Sequence, residues 1–193
     1  MITILPLQKV LSAVAVVYAL ALILVILALE LKGINSILAA FKGAFILELF
    51  IIVFVAFGWR KLWSKYPTLN QWVYPDLNGE WIAKIHWNRG KQRGTKTAKA
   101  YIKQNLFRLN IELVSDESES ETLMVIPKKD PESSRPMLYY IYRNESKQGS
   151  DKPLPPHKGA AILKLDHNDL NVLKGNYFTD RATNGHFELQ REK

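Results

Sequence analysis

The chain has 193 residues, no cysteine, and a formal net charge of +8 from 26 Lys and Arg against 18 Asp and Glu. The lack of cysteine excludes a disulfide framework, a thiolate metal site and a cysteine nucleophile. The positive excess favours anionic partners such as lipid headgroups, nucleic acid or a small phosphate ligand, although the same charge also keeps a domain soluble near a membrane.

Residues 10–29 carry no charged side chain. A hydrocarbon core of about 30 Å requires ~20 apolar residues at ~1.5 Å rise each, and this run meets that length. A cleaved signal peptide is the alternative, but its apolar core spans only ~7–15 residues, and here a second apolar run follows at once. The sequence therefore predicts a first transmembrane helix.

Residues 37–59 form the second apolar run, which contains Lys42 and Glu48. If the membrane segment begins near Gly43, the Lys42 side chain can reach the interface. A carboxylate at the depth of Glu48 costs several kcal/mol unless it is neutral, paired or facing protein. Two interpretations remain open for Glu48. It is either protonated and packed against the first helix, or it forms a polar contact between protomers or lines a pore.

The segment KGINS at 32–36 is interpreted as a short turn, so the two helices form a hairpin with both ends on one side of the membrane. Arg60, Lys61 and Lys65 follow the second helix among several aromatic residues. Basic residues near helix ends mark the cytoplasmic side, and aromatic rings favour the headgroup level. We therefore expect cytoplasmic N- and C-termini, with residues 1–73 as the membrane part and 74–193 as a cytoplasmic domain.

Beyond Pro75 the sequence alternates between apolar and polar residues with period two, which is typical of strands. This alternation predicts eight strands, within 79–87, 98–104, 106–114, 122–126, 137–143, 160–165, 170–178 and 186–191. The runs RGKQRGTK at 89–96 and SDESESE at 115–121 are assigned to turns. The proline-rich run at 147–159 is assigned to a long loop.

Sequential hairpins without a long crossover favour a small antiparallel eight-stranded β-barrel over a sandwich. Such a barrel is just wide enough to be filled by side chains or to hold one small ligand at its mouth. The Gly79-Glu80-Trp81 segment at the first strand is a common way to plug one end, so we expect Trp81 to lie in the core.

No catalytic constellation emerges from the sequence. The four histidines lack the spacing of metal ligands, and there is no nucleophile elbow or phosphate-binding glycine loop, so we predict no metal site and no enzyme. Three clusters near strand ends carry groups that hold phosphates and stack bases. They are Thr95, Lys96 and Thr97; Tyr139, Tyr140, Tyr142 and Arg143; and Tyr177, Thr179, Arg181 and Thr183. Core packing of the tyrosines and capping of the last turn are the structural alternatives.

The chain resembles the small two-transmembrane, β-strand-rich effectors of cyclic-oligonucleotide-based antiphage signalling (CBASS). The resemblance rests on the two apolar runs followed by YPDLNGEW at 74–81, IKQNLFRLNIEL at 102–113 and LKGNYFTDRATNGHFELQR at 173–191. It covers nearly the whole chain, and the stretch from Gly175 to Gly185 is its most specific part.

This resemblance implies a mechanism. A partner nucleotidyltransferase (CD-NTase) makes a cyclic dinucleotide, which the barrel binds as its ligand, with no other cofactor and no nucleic acid polymer. Protomers then form a homo-oligomer through the hairpins and disrupt the lipid bilayer of the bacterial inner membrane, so that the infected cell dies. The expected ligand-binding residues are Tyr177, Thr179, Arg181, Thr183, Tyr142 and His157. The alternative is a membrane-tethered, lipocalin-like barrel that binds a lipid or another apolar small ligand, which the apolar inward rows would allow.

Overall fold

The computed structural model describes residues 7–30, 32–149, 153 and 155–192. The chain divides into two compact units, one that ends at Leu69 and one that contains everything from Asn70 onward.

The first unit is helical. Helix α1 spans Leu7–Ala28 and helix α2 spans Ile34–Val53; a π-helical segment, Phe54–Gly58, continues into α3, Trp59–Lys65. The stretches Leu11–Ala28 and Ile34–Lys65 are long and apolar enough to cross a membrane, which confirms the two predicted apolar helices. The turn between them lies earlier in the chain than predicted, because α1 ends at Ala28 and residues 34–36 already belong to α2.

A tyrosine joins the two helices of this unit. The Tyr18 hydroxyl donates a hydrogen bond to the Ala40 carbonyl oxygen at 2.5 Å. A Cβ atom on Gly43 would lie 3.2 Å from the same hydroxyl, so glycine allows the close approach. Glu48 is exposed on α2, and its role stays a prediction.

The short helix α4, Thr68–Trp72, spans the boundary between the two units, and the rest of the second unit is all β in its regular elements. Eight antiparallel strands form a closed barrel in chain order, with the last strand paired to the first. This confirms the predicted fold. The strands are β1 Gly79–Arg89, β2 Gln92–Gln104, β3 Leu109–Val114, β4 Ser118–Lys129, β5 Pro136–Ser146, β6 His157–Leu165, β7 Val172–Thr179 and β8 Asn184–Arg191.

Two of the predicted turns are wrong, because most of their residues extend strands. The turn between β1 and β2 is only Gly90–Lys91, with Gly90 at a φ of 59°. The run SDESESE enters β4 at Ser118, where serine and threonine face the interior and the glutamates face outward. Hydroxyl and carboxylate side chains alternate in this run with the period of a strand. The run was assigned to a turn because all of its side chains are polar.

One end of the barrel is closed by the chain segment that enters it. Leu77 and Trp81 are fully buried, and the Trp81 indole donates to the Leu77 carbonyl oxygen at 3.0 Å. The Arg191 guanidinium lies over the Trp81 ring at 5.2 Å, which is the geometry of a cation–π contact. The Gln104 side chain accepts a hydrogen bond from the Leu77 amide at 2.8 Å. Trp81 is therefore part of the core, as predicted, and this end is plugged.

Strands β3 and β4 are joined in an unusual way. Their ladder contains two residue pairs, Leu113–Ser120 and Val114–Glu119, whereas β1 and β2 share eleven. Beyond this ladder the Thr122 hydroxyl accepts from the Ile111 amide at 2.8 Å and donates to the Ile111 carbonyl at 2.7 Å. A side-chain hydroxyl thus forms hydrogen bonds with backbone groups that have no partner in the ladder, as buried polar groups require.

Candidate functional site

A cavity of about 290 Å³ lies inside the barrel at the end opposite the plug. It forms where β1, β3, β5 and β7 end and their hairpin partners begin, so inward side chains from all eight strands converge there. Its lining consists of Ile85, Trp87, Arg89, Gln92, Lys96, Ala98, Leu113, Ser115, Ser118, Ser120, Tyr142, Asn144, His157, Tyr177, Thr179, Arg181, Thr183 and Phe187.

Aromatic rings form one wall of this cavity. Tyr177 stacks on Phe187 with ring centroids 4.4 Å apart, and Tyr142 meets the edge of Phe187 at 6.2 Å. Burial raises the pKa of Tyr142 and raises that of Tyr177 to about 12, so both phenols remain neutral donors at neutral pH.

Three rings of the wall lie against glycines on the neighbouring strand. The direct cross-strand pairs are Trp87 with Gly94, Tyr142 with Gly159, and Tyr177 with Gly185. A Cβ atom on these glycines would lie 2.7, 2.3 and 2.8 Å from the respective rings, closer than real contacts allow. At Gly185 a Cβ atom would also lie 1.8 Å from the His86 carbonyl oxygen, so the backbone requires glycine there as well. Because the three glycines leave room for the facing rings, the rings lie along the barrel wall and the space inside remains open.

Arg181 occupies the hairpin between β7 and β8. The Thr179 amide donates to the Thr183 carbonyl at 2.8 Å, and Ala182 has a φ of 56°, so the turn is tight. The Arg181 guanidinium donates from Nη1 to the Pro155 carbonyl oxygen at 3.3 Å. Among the residues that the structure describes, the Nε of Arg181 is a buried donor without a hydrogen-bond partner. A buried donor of this kind is a ready binding position for an anion or another acceptor.

His157 supports the same guanidinium. Its Nε2 lies 3.4 Å from Arg181 Nη2, and since arginine only donates, this nitrogen acts as the acceptor. Burial, followed by the charge of Arg181, lowers the pKa of His157 below its ordinary value. The imidazole is therefore neutral at neutral pH and adds no charge of its own.

The charge of the lining is positive. Arg89, Lys96 and Arg181 are basic, and none of the described lining residues is acidic. Burial, and then the charge of Arg89, lowers the pKa of Arg181, which still remains protonated because an arginine starts from a very high value. Lys96 pairs with Glu117 just outside the lining. An anion entering this cavity would gain Coulomb energy at a reduced dielectric constant.

Another part of the lining, on β4 and at the adjoining ends of β3 and β5, carries small polar side chains, namely Ser115, Ser118, Ser120 and Asn144. Ser120 is only 3% exposed, and its hydroxyl accepts from the Leu113 amide at 3.1 Å. The cavity thus combines an aromatic wall, a hydroxyl-rich wall and guanidinium donors. No group of three or more potential metal ligands occurs in the described part of the chain.

All six residues predicted to bind ligand line this cavity, namely Tyr142, His157, Tyr177, Thr179, Arg181 and Thr183. Their contact with a ligand remains a prediction. Of the other candidates, Lys96 lines the cavity, whereas Tyr140 is a core residue whose hydroxyl donates to the Ile111 carbonyl at 3.1 Å. Thr95, Thr97, Tyr139 and Arg143 are exposed and do not line it.

Several lining residues were not predicted, although two of them, Ser118 and Ser120, follow the alternation of β4. Lys96, which was among the candidates, falls on the same strand face as Ala98, Ala100 and Ile102, where a lysine is out of place unless it serves a cavity. Arg89, Gln92 and Asn144 lie at strand ends, whose positions the sequence leaves uncertain by a few residues.

The sequence is similar to known proteins across this region. Residues 72–191 match the family described as Cap15, cyclic dinucleotide receptor domain. A curated relative, CD-NTase-associated protein 15 of Staphylococcus schleiferi, is 30% identical over 148 residues, which cover 74% of this chain and 76% of the relative.

The contact between Tyr142 and Gly159 is testable by a double-mutant cycle. Gly159→Ala forces the Tyr142 ring off the wall, and we expect it to lower the free energy of unfolding by about 1–3 kcal/mol, as overpacking does. In a Tyr142→Ala background the same change should cost little, because the clash is gone. Unfolding of the full chain in detergent, followed by tryptophan fluorescence, measures both. Equal costs in the two backgrounds would show that the ring does not depend on this glycine.

Proposed function

We propose that the open-end cavity binds a cyclic dinucleotide, because the chain belongs to the Cap15 family of CBASS effectors and the matched domain is a cyclic dinucleotide receptor. Two candidate membrane-spanning helices precede this domain, which suits a receptor attached to a membrane. What the proposal adds is the position of the ligand and the way in which its binding acts on the rest of the chain.

The buried, unpartnered Nε of Arg181 is the observation that carries this proposal. A phosphodiester oxygen is the acceptor that a guanidinium recognises best, because Nε and a terminal nitrogen form a planar fork for two oxygens. A cyclic dinucleotide carries two phosphodiester charges. Arg89, Lys96 and Arg181 are the three basic residues of the lining, and because Glu117 neutralises Lys96, their remaining charge balances the two phosphodiesters.

The walls of the cavity suit the remaining parts of such a ligand. Tyr142, Tyr177 and Trp87 present ring faces on which a base can stack, worth about 1–3 kcal/mol per base. Hydroxyl and amide groups on β4 and β5, from Ser118, Ser120 and Asn144, can both donate to and accept from base edges. These groups give the cavity a means of distinguishing bases.

The size of the cavity limits how much of the ligand it encloses. Its volume of about 290 Å³ is at the lower end of the ~300–1,000 Å³ typical of ligand pockets. A cyclic dinucleotide, with two bases, two sugars and two phosphates, fills more space than that. We therefore expect one nucleotide to enter the barrel, while the other lies at the mouth beside Arg89 and Gln92.

Ligand binding is coupled to assembly in this proposal. A cyclic dinucleotide made by a partner CD-NTase favours the state that it binds more tightly, and a ligand with equal affinity for both states would change nothing. If the assembled state is the one favoured, the hairpins gather into a homo-oligomer and disrupt the bacterial inner membrane around them. The termini are then cytoplasmic, on the side where the nucleotide is made.

Glu48 has a place in this assembly. It is exposed on α2, on a helix that is apolar around it. A carboxyl group within a membrane is costly unless it finds a polar partner, and a neighbouring protomer can supply one. We therefore assign Glu48 to contacts between hairpins.

The ligand proposal is tested by thermal unfolding of the full chain in detergent with c-di-AMP, c-di-GMP, cyclic GMP–AMP and c-di-UMP, alongside a fatty acid. At a hundredfold excess over Kd, nucleotide binding should add about 2.7 kcal/mol to the free energy of unfolding, and the fatty acid should add nothing.

Arg181→Ala should weaken nucleotide binding ~10–100-fold through loss of charged hydrogen bonds. Arg93→Ala, which changes an exposed arginine on β2, is the control. A shift with the fatty acid alone would support the lipocalin-like alternative. Unchanged affinity of Arg181→Ala would remove that residue from the site.

A second prediction concerns Glu48→Gln, which removes the charge and keeps the shape. It should preserve the nucleotide-induced thermal shift and reduce nucleotide-driven dye release from liposomes that contain the protein. Glu30→Gln, at the turn of the same hairpin, is the matched control and should release dye normally. Undiminished release by Glu48→Gln would show that this carboxyl group has no essential role in assembly.

A further inference from the structure

The outer surface of the barrel carries a group of exposed apolar side chains that ligand binding does not explain. Six of them, each between 37% and 66% exposed, lie on adjacent strands β4 to β7. We call this group the outer stripe; its members are Leu123, Met124, Tyr139, Ile141, Ile162 and Phe178.

Strand register makes the outer stripe contiguous. Met124 pairs with Ile141, Ile141 pairs with Ala160, and Ala160 pairs with Phe178, so one row crosses four strands. Tyr139 pairs with Ile162 in the next row. The register shift between Thr122 and Met124 is a bulge, and the extra residue leaves both Leu123 and Met124 exposed.

The outer stripe is large for the surface of a soluble domain. With side-chain areas of roughly 150–250 Å² for its aromatic members and somewhat less for the others, the exposed fractions sum to an area on the order of 500 Å². This area lies within the ~300–600 Å² of the largest apolar patch on a typical monomer, and such patches often serve contacts with another protein or a membrane.

The charges beside the stripe favour a protein partner. Along the same strands it is flanked by Lys128, Arg143, Lys164 and Lys174. The Lys128 ammonium lies over the Tyr139 ring at 5.7 Å. The other three are paired within the barrel, with Glu145, Asp130 and Glu188 respectively. These pairs reduce the repulsion that would oppose the approach of a second, equally basic barrel, and they reduce the attraction of the rim for anionic lipid headgroups.

We propose that the outer stripe is the contact between the barrels of two copies of this chain. The inference rests on the proposed assembly and assigns it a surface outside the membrane. A two-fold contact of the stripe with itself buries the same side chains on both copies. The stripe also adjoins the cavity, because Ile141 precedes Tyr142, and Phe178 lies between Tyr177 and Thr179. A ligand that orders the inner face of β5 and β7 therefore orders the outer face as well.

The area of the stripe also explains why such a contact would depend on ligand. A stable interface buries about 800 Å² per partner, and the stripe offers less. In the resting state the contact is too small to hold two copies together by itself. Once ligand binding has gathered the hairpins, their barrels meet at a high effective concentration, and a weak contact then suffices.

The cysteine-free sequence makes the contact directly measurable. Ile141→Cys is introduced into the full chain, reconstituted in liposomes and treated with a bifunctional maleimide, with and without the cyclic dinucleotide that gives the largest thermal shift. We expect crosslinked dimers to increase at least fivefold with nucleotide. Lys99→Cys, exposed on β2 away from the stripe, is the matched control and should show no increase. Adding Phe178→Ser to Ile141→Cys should abolish the increase while the thermal shift persists, which also shows that the variant is folded.

Three results would overturn the inference. The first is equal crosslinking from Lys99→Cys. The second concerns an environment-sensitive fluorophore attached to Ile141→Cys. If the fluorophore is shielded from water in vesicles that each hold one copy of the chain, the stripe contacts lipid. The third is nucleotide-driven dye release with no crosslink at Ile141→Cys, in which case the proposed function stands and this surface does not. If the parent chain shows no nucleotide-driven release at all, the proposed function fails, and the inference fails with it.

Discussion

The width of an eight-stranded ring is the constraint on which the rest of this barrel depends. The interior of an eight-stranded barrel is just wide enough either to be filled by side chains or to hold one small ligand. At the plugged end Trp81, Leu77 and Arg191 fill it. At the other end glycines opposite Trp87, Tyr142 and Tyr177 let the rings lie along the wall. The positions of these glycines on the strands therefore keep the cavity open.

The polar groups at this open end bind the ligand in the proposed function, and they lower the stability of the empty barrel. The Arg181 guanidinium is partly desolvated, next to the charge of Arg89, and its Nε has no partner among the described residues. An unsatisfied buried donor costs about 1–3 kcal/mol. A ligand that supplies the missing acceptor recovers this cost, so binding and stability are linked through the same atom. Sites with such local conflicts are where function is expected.

The fold could be predicted from the sequence because its signals are local. Twenty uncharged residues at 10–29 and the clean alternation around Ile111 need no knowledge of the rest of the chain. The limits of β2 and β4 could not be predicted. The run around Lys96 and the serines of β4 have the composition of turns, and only the closed barrel shows that some of these side chains face an interior. The cavity residues on the last hairpin were predicted from their chemistry. Arg89 and Asn144 were not, because only closure of the ring brings strands distant in sequence together.

The position of the nucleotide is the central claim, and a structure of the full chain with bound cyclic dinucleotide tests it most directly. This account predicts a phosphate oxygen within hydrogen-bond distance of Arg181 Nε and one base on the ring of Tyr142 or Tyr177. A ligand seated elsewhere contradicts it, for example in the groove outside β3 and β4 beside Glu112 and Glu121, with the interior of the barrel unchanged.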